Sequence, residues 1–322
     1  MATGIVAIAC NLEGFRRLAQ VLVAINILIF VVLAAMTLLR AALFPRAFYR
    51  DVGDHNRGVG FFTIVAGTAI LGSGAFTILG LHWLPLILWF ASLTLWVLAT
   101  YSIFAAFILK QDKPSLRHGI HGSWLLAVVA TESIALLALH LLSNFPNHRP
   151  LVLFLSLALW LSGGMLYIWM ISLIFYRYTF FPILPSDLMP FYWIDMGAVA
   201  IASVVGALLL ERITGSPLAD LAPFVKGLTI LFWATATWWI PMLAIFAIWR
   251  HTVARQSFAY SPFYWAAVFP LGMYAVATFR LMEITGFGFF VWIPKVFTWV
   301  ALVAWLATFA GLLRTILTNP PK

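Results

Sequence analysis

The sequence carries few charged residues: Asp, Glu, Lys and Arg make up only 9% of its 322 residues. An ordinary soluble domain carries roughly 25%, so this composition excludes a water-soluble fold. The sequence also has a single cysteine, Cys10, which excludes an internal disulfide and a cysteine-based metal site. Because no basic leader follows Met1, we predict no cleavable signal peptide.

Apolar side chains are abundant instead, at 64% of the chain with a mean hydropathy of +1.02. A membrane-spanning helix needs roughly 20 mostly apolar residues. We therefore predict an all-α integral membrane protein, a single membrane domain over residues 1–322, with ten transmembrane helices. The first apolar run, 1–10, is short, so we expect the first helix to be N-terminally truncated or a half-helix. The other predicted spans are 18–39, 60–79, 84–109, 123–142, 151–176, 192–210, 228–249, 263–281 and 289–317.

The net charge of +9 is distributed over the loops between these apolar spans. This placement favours orientation in a membrane over a nucleic-acid partner. Loops after even-numbered helices, together with the C-terminal tail, hold twelve of the 19 Lys and Arg residues, and the opposite side holds seven. Because cytoplasmic loops carry the excess of Lys and Arg, we predict a multi-pass protein of the inner or plasma membrane with both termini in the cytoplasm.

Five similar six-residue segments recur along the chain, starting at Met1, Val65, Val129, Met196 and Phe269. Their starts are 64, 64, 67 and 73 residues apart, which is close to the length of one helical hairpin with its loops. The segments hold small residues, which let helix backbones approach closely. We therefore predict five hairpins around a central pore, with the odd-numbered helices inside and the even-numbered helices outside, facing lipid.

The ninth predicted helix places the bulky ring of Phe269 directly before Pro270. A helix in lipid keeps a proline only where neighbours or a water-filled cavity satisfy the freed carbonyl. At the position of Phe269, the other four repeats hold Met or Val, so a single ring would project among smaller side chains. We interpret Phe269 as a gate that closes the pore. The alternative is a core phenylalanine packed between helices.

Four of the five repeats also carry a resemblance to a known family. The matching segments are Met-Ala-Thr-Gly-Ile-Val at 1–6, Trp-Leu-Leu-Ala-Val-Val-Ala-Thr at 124–131, Trp-Ile-Asp-Met-Gly-Ala at 193–198 and Phe-Pro-Leu-Gly-Met-Tyr at 269–274. Together they resemble the tellurite-resistance/dicarboxylate transporter family, which includes the plant slow anion channels and the fungal malate and sulfite transporters.

This resemblance implies a five-hairpin bundle around a central pore, a homotrimer with one pore per subunit, and an occluding phenylalanine that falls on Phe269. Bacterial members with a similar Phe-Pro-Leu-Gly-Met-Tyr pattern are described as C4-dicarboxylate or malic acid transporters. The sequence departs from the family in two respects. The first inner helix lacks its usual leading half. The second departure concerns charge. The family pattern favours amides near Glu132 and Asp195, where carboxylates would repel an anion unless protonated or paired.

Ionisable groups inside a span are costly and are candidates for function. Glu132 lies near the middle of the fifth predicted helix, and Asp195 lies near the start of the seventh. One hypothesis is proton coupling, in which a protonated carboxyl accompanies the anion. The alternative is a structural hydrogen bond or ion pair with a neighbouring helix, for which Arg280 is a candidate cation.

Other candidates for the pore lining are small or hydroxylic residues at the repeat positions. Threonine hydroxyls can donate hydrogen bonds to an anion, but they also bond back to their own helix carbonyls. Glycine and proline breaks can expose backbone N–H groups and helix dipoles to an anion. The candidates are Thr3, Gly4, Gly67, Thr68, Thr131, Gly197, Pro270 and Gly272.

We therefore predict a membrane transporter of anions, most simply of C4-dicarboxylates such as malate. The alternative within transport is an exporter or channel for small inorganic anions such as sulfite, tellurite, nitrate or chloride. A membrane-embedded enzyme would need acid, base or metal groups converging at one depth, and only Glu132 and Asp195 are available. We predict no enzyme activity, no cofactor and no metal.

Overall fold

The computed structural model describes residues 1–184, 187–253, 255 and 260–318. Throughout this part of the chain the regular structure is helical, without a β-strand. We label as α1 to α10, in chain order, the helices of more than ten residues. They are Ala2–Leu12, Arg16–Leu43, Phe62–Thr77, Trp83–Leu109, Leu126–His140, Arg149–Phe180, Ile194–Ile213, Ala222–Ile248, Trp265–Thr285 and Trp292–Thr318.

Among the described residues, nine spans are long and apolar enough to cross a membrane, which confirms the predicted all-α membrane protein. Each contains one of α2 to α10, in several cases together with an adjoining short helical turn. Helix α1 has 11 residues. At 1.5 Å per residue it is about 16 Å long, roughly half the thickness of the hydrocarbon core. The predicted total of ten crossings therefore stays a prediction.

Several helices extend past the predicted apolar runs. Helix α2 begins at Arg16, and α6 covers Arg149–Phe180 with a charged residue inside each end. Helical hydrogen bonding continues through polar residues at a membrane surface. Hydropathy alone therefore predicts helices that are too short at both ends. Conversely, α5 begins only at Leu126, because 3₁₀ geometry holds the preceding Gly122–Leu125.

A short 3₁₀ turn leads into each odd-numbered helix from α3 onward. These turns are Gly58–Phe61, Gly122–Leu125, Pro190–Trp193 and Pro262–Tyr264. The same local structure thus recurs at the start of four repeats that the sequence had aligned only through their small residues.

The two helices of each sequential pair pack on each other, from α1 with α2 to α9 with α10. In addition, α1 contacts α3, α3 contacts α5, α5 contacts α7, α7 contacts α9, and α9 contacts α1. The five odd helices therefore form a closed ring of contacts. The predicted pore along the axis of this ring stays a prediction.

Burial differs between the two sets of helices. The most apolar window of the spans containing α5 and α7 is 89% buried, whereas that of α2 and α4 is 17% buried. Exposed leucine, valine and aromatic side chains cover α2 and α4. Because these apolar side chains are largely exposed on the described chain, lipid is the solvent that suits them.

Tryptophans of the even helices join one hairpin to the next. In each case, the indole Nε1 of an even helix donates to a group of the following odd helix, and α10 donates to α1. The bonds are Trp96 to Thr131 Oγ1 at 2.8 Å, Trp160 to the Ala202 carbonyl at 2.8 Å, Trp233 to Thr278 Oγ1 at 2.9 Å and Trp305 to Thr3 Oγ1 at 3.0 Å.

Candidate functional site

Phe269 lies in the second turn of α9 and is fully buried. Pro270 follows it inside the same helix, so the carbonyl four residues earlier loses its usual N–H partner. Helix α9 packs on both α7 and α1 within the ring of odd helices. The predicted gate thus lies inside the protein rather than on the lipid-facing surface.

Glycines let the ring close tightly around this level. A Cβ at Gly197 of α7 would lie 2.6 Å from Pro270 Cγ, and a Cβ at Gly272 would lie 3.2 Å from Ile5 Cγ2. At Gly4 of α1, a Cβ would lie 3.0 Å from Ile70 Cγ2 of α3. These three predicted lining residues are therefore sites of helix contact, where backbones approach closely.

Gly67 of α3 differs from these glycines. It is buried, yet a Cβ at this position would have no side chain and no atom of another helix within 4 Å. Free space therefore lies beside Gly67 within the protein. Gly67 occupies the third position of its repeat, two residues beyond the position that Phe269 occupies in the fifth repeat.

The predicted threonines mostly bond to their own helices. Thr68 Oγ1 donates to the Ile64 carbonyl at 2.8 Å, and Thr131 Oγ1 donates to the Ala127 carbonyl at 2.9 Å. Thr131 also accepts from Trp96, and Thr3 accepts from Trp305. The hydroxyl protons of Thr68 and Thr131 are thus already used, whereas that of Thr3 has no acceptor among the described residues.

Glu132 is fully buried in α5, and neither carboxyl oxygen has a hydrogen-bond partner among the residues that the structure describes. Its side chain packs against Gly163 of α6, where a Cβ would lie 2.8 Å from Glu132 Cδ. Because α6 is an even-numbered helix, Glu132 points out of the ring of odd helices. The sequence placed Glu132 near the middle of its helix but could not show the direction of its side chain.

Asp195 has a different environment at the start of α7. Its Oδ2 accepts a hydrogen bond from Tyr178 at 3.1 Å, and its backbone carbonyl accepts one from Tyr167 at 3.1 Å. The indole of Trp239 donates to the Tyr167 hydroxyl at 3.0 Å. Asp195 therefore belongs to a hydrogen-bond network that joins α6, α7 and α8.

Arg280 does not pair with either of these carboxylates. It lies 2.7 Å from Glu283 in its own helix and 3.7 Å from Glu211 of α7. The suggested ion pair of Arg280 with Glu132 or Asp195 is therefore not formed. Arg280 lies near the C-terminal end of α9, whereas Asp195 lies near the N-terminal end of the parallel helix α7.

Two arginines at the ends of even helices are buried, which sequence patterns did not indicate. Arg177 of α6 donates to the Ile120 carbonyl at 3.0 Å and lies 3.5 Å from Asp187. Arg250 follows α8 and is 9% exposed. Both residues counted only as loop charges in the topology argument, since burial cannot be read from charge position.

His121 lies next to Arg177, just before the span that contains α5. Burial, reinforced by the charge of Arg177, lowers the pKa of His121 from 6.5 to about 4. Its ring lies 4.8 Å from that of Phe191, and Nδ1 bonds with Ser123 Oγ. The imidazole is therefore neutral at physiological pH, and the positive charge in this region comes from the arginines.

Comparison with known proteins identifies the family. Residues 1–313 match the model of the SLAC1 family, described as voltage-dependent anion channel. An uncharacterized transporter of Methanocaldococcus jannaschii is 24% identical over 326 residues, which cover 98% of this chain and 91% of that protein. A sulfite efflux pump of Arthroderma otae is 24% identical over 331 residues, covering 96% and 87%.

An uncharacterized membrane protein of Mycobacterium tuberculosis is more similar over a shorter region. It is 38% identical over 149 residues, which cover 46% of this chain and 76% of that protein. The family match extends over nearly the whole chain, and it confirms the resemblance carried by the repeated segments. The chain belongs to the SLAC1 family of voltage-dependent anion channels.

Proposed function

We propose that this protein carries small anions across the membrane along the axis of the ring of odd helices, and that Phe269 closes this path. The observation that carries the proposal is the free space beside the buried Gly67. Well-packed protein interiors leave few such voids. Free space beside a buried residue of an odd helix, near the repeat level of a buried phenylalanine, is what we expect of a blocked conduit.

The charge distribution supports a weakly binding path. Helices α1 and α3 carry no Lys, Arg, Asp or Glu, and α9 carries none before Arg280. An anion along this axis would meet backbone dipoles and hydroxyl groups rather than a fixed full charge. Such a path favours rapid passage over tight binding.

Sulfite is the first substrate to test, because proteins named sulfite efflux pumps align with 96% of this chain. C4-dicarboxylates such as malate remain the second candidate, on the basis of the Phe-Pro-Leu-Gly-Met-Tyr segment at 269–274. The two candidates differ in size, so a path of fixed width would discriminate between them.

The experiment compares sulfite, malate and chloride flux in proteoliposomes that contain the wild type or the Phe269→Ala variant. We expect Phe269→Ala to raise anion flux at least severalfold, because removal of the ring opens the path. Phe232→Ala is the matched control. Phe232 is also a buried phenylalanine, but it packs on Trp160 between α8 and α6 at a ring distance of 5.8 Å.

If Phe269 is only a core residue, its truncation creates a cavity and costs about 3–5 kcal/mol of stability without raising flux. Both variants would then melt earlier and conduct no more than the wild type. That result would remove the basis for the gate.

The assembly and orientation belong to the same proposal. The excess of Lys and Arg in loops after even helices supports cytoplasmic termini in an inner or plasma membrane. The family resemblance supports a homotrimer with one path per subunit. Cross-linking in native membranes and labelling of single cysteines placed in these loops would test the two points separately.

A further inference from the structure

We propose that Arg250 is an anion-binding residue at the mouth of the path, where it holds a small oxyanion before the anion reaches Phe269. This inference rests on the proposed transport function and names a binding residue for it. This assignment puts the mouth near the C-terminal end of α8, where Arg250 contacts Met189, the residue before the turn Pro190–Trp193 that leads into α7.

Local helix geometry turns Arg250 inward. The segment Trp249–Val253 is a π-helical turn that follows α8. A π turn inserts an extra residue into a helix, which changes the direction of the following side chains, and such turns are frequent at functional sites. Ile248 and Val253, on either side, are 61% and 67% exposed, whereas Arg250 is 9% exposed.

The guanidinium of Arg250 has no acidic partner in the described part of the chain. Its one hydrogen bond among the described residues is a weak contact of Nη2 with Met189 Sδ at 4.0 Å, and Nε has no partner. The sequence between Val253 and Tyr260 contains no Asp or Glu that could neutralise it. A buried charge without a partner is costly, so a counter-anion from solution would stabilise this arrangement.

Two other arginines near helix ends, Arg177 and Arg280, are paired. Arg177 bonds to the Ile120 carbonyl and lies 3.5 Å from Asp187, and Arg280 lies 2.7 Å from Glu283. Arg250 therefore differs from both in having its planar set of donors available. This fork matches the geometry of two oxygens on one oxyanion.

The surroundings of Arg250 also suit an anion. Met189, its contact, immediately precedes the turn that opens α7, so the guanidinium lies near the N-terminal, positive end of that helix. Tyr192 of this turn is within electrostatic range of Arg250. Phe246 of α8 packs on the Tyr192 ring at 5.9 Å and on the Tyr178 ring at 5.4 Å. These ring contacts hold α8 against the turn that leads into α7.

One carboxylate of this region, Asp195, opposes an anion. Its Oδ2 is held by the hydroxyl of Tyr178, at 3.1 Å, and no ion pair joins it to Arg250 within the described structure. The Tyr178 hydroxyl therefore offsets part of the carboxylate charge. The guanidinium of Arg250 is therefore the cation to which we assign the anion.

The test measures binding and flux with the full-length protein. In detergent, the melting temperature is recorded with sodium sulfite, chloride or malate at constant ionic strength. We expect sulfite to raise the melting temperature of the wild type and of Arg46→Gln, and to leave that of Arg250→Gln unchanged. Arg46 is the matched control, because it is an exposed arginine without a salt bridge among the described residues. Arg250→Lys keeps the charge but loses the fork, so an intermediate shift is expected.

Flux separates this inference from the proposed function. In the open Phe269→Ala background, we expect Arg250→Gln to raise the half-saturating sulfite concentration about tenfold, the equivalent of roughly 1.4 kcal/mol.

If Phe269→Ala raises flux but Arg250→Gln changes neither the half-saturating concentration nor the melting-temperature shift with sulfite, the transport proposal stands and the role of Arg250 is wrong. If Phe269→Ala has no effect on flux, the gate fails, and the melting shifts alone decide the role of Arg250. If none of the three anions raises the melting temperature of the wild type, the proposal that Arg250 binds an anion is wrong. If Arg250→Gln does not fold, Arg250→Lys decides the question. A melting-temperature shift with sulfite equal to that of the wild type would show that the guanidinium fork is not required.

Discussion

Gly197 of α7 faces Pro270 of α9 so closely that a Cβ at position 197 would lie 2.6 Å from the proline Cγ. The pyrrolidine ring is rigid, so it cannot move aside as a flexible side chain would. The position of Phe269, the residue before this proline, therefore depends on the absence of a side chain at Gly197.

We expect Gly197→Ala to push α9 away from α7 and to destabilise the protein by about 1–3 kcal/mol, the usual cost of overpacking. Because Phe269 moves with Pro270, basal anion flux should also rise. Melting temperature and flux in proteoliposomes measure the two effects. Gly74→Ala in α3 is the control, since a Cβ there would lie 3.7 Å from Val23, an ordinary contact. Equal flux in Gly197→Ala and the wild type would show that the contact between Gly197 and Pro270 does not control the gate.

Side chains added at Gly67 should narrow the proposed path without disturbing the fold. No side chain and no atom of another helix lies within 4 Å of a Cβ at this position. In the Phe269→Ala background, we expect Gly67→Ala to reduce malate flux more than chloride flux, and Gly67→Leu to reduce both strongly. Melting temperatures should stay close to the parent value or rise for alanine, because alanine favours the helix by roughly 0.5–1 kcal/mol over glycine. Undiminished flux in Gly67→Leu would place the path elsewhere.

Glu132 should act as a structural residue rather than as a proton carrier. Its carboxyl points toward Gly163 of α6 and out of the ring of odd helices. We expect Glu132→Gln, which keeps the shape of the side chain, to leave both the flux and its pH dependence unchanged in proteoliposomes. Lost pH dependence with intact folding would favour the proton-coupling hypothesis instead.

Acid should destabilise the protein in part through His121. The folded-state pKa is lowered from 6.5 to about 4, so the unfolded chain binds more protons between these values, and stability falls as the pH decreases through this window. The full contribution is at most about 3.5 kcal/mol, at about 1.4 kcal/mol per unit of pKa. We expect His121→Asn to flatten the decline of melting temperature between neutral and acidic pH. A similar change at the exposed His118 should leave the decline as it is in the wild type. Parallel curves for His121→Asn and the wild type would show that His121 does not contribute.

The repeats made part of this structure predictable. Small residues at a regular spacing identified the odd helices, and the proline beside Phe269 identified a special position in one of them. Periodicity indicates which residues share a face of one helix. It does not indicate which neighbour that face meets, so the orientation of Glu132 toward α6 could not be predicted.

Charged residues show the same limit of prediction from sequence, and Arg250 and Arg280 are examples. Both were read as surface or candidate partner charges from their positions at helix ends. A π turn buries Arg250, and a contact between α9 and α7 brings Arg280 to Glu211. Neither event leaves a periodic signal, because each depends on where one helix ends relative to another.

Since each hairpin reverses the direction of the chain, the five odd helices run the same way through the ring, each from α3 onward starting with a 3₁₀ turn. Their N-terminal ends, with unpaired N–H groups, gather at one face, and their C-terminal carbonyls gather at the other. The two faces therefore present opposite partial charges to a solute. An anion current through an open protein would rectify, with easier entry from the face where α7 and α9 begin.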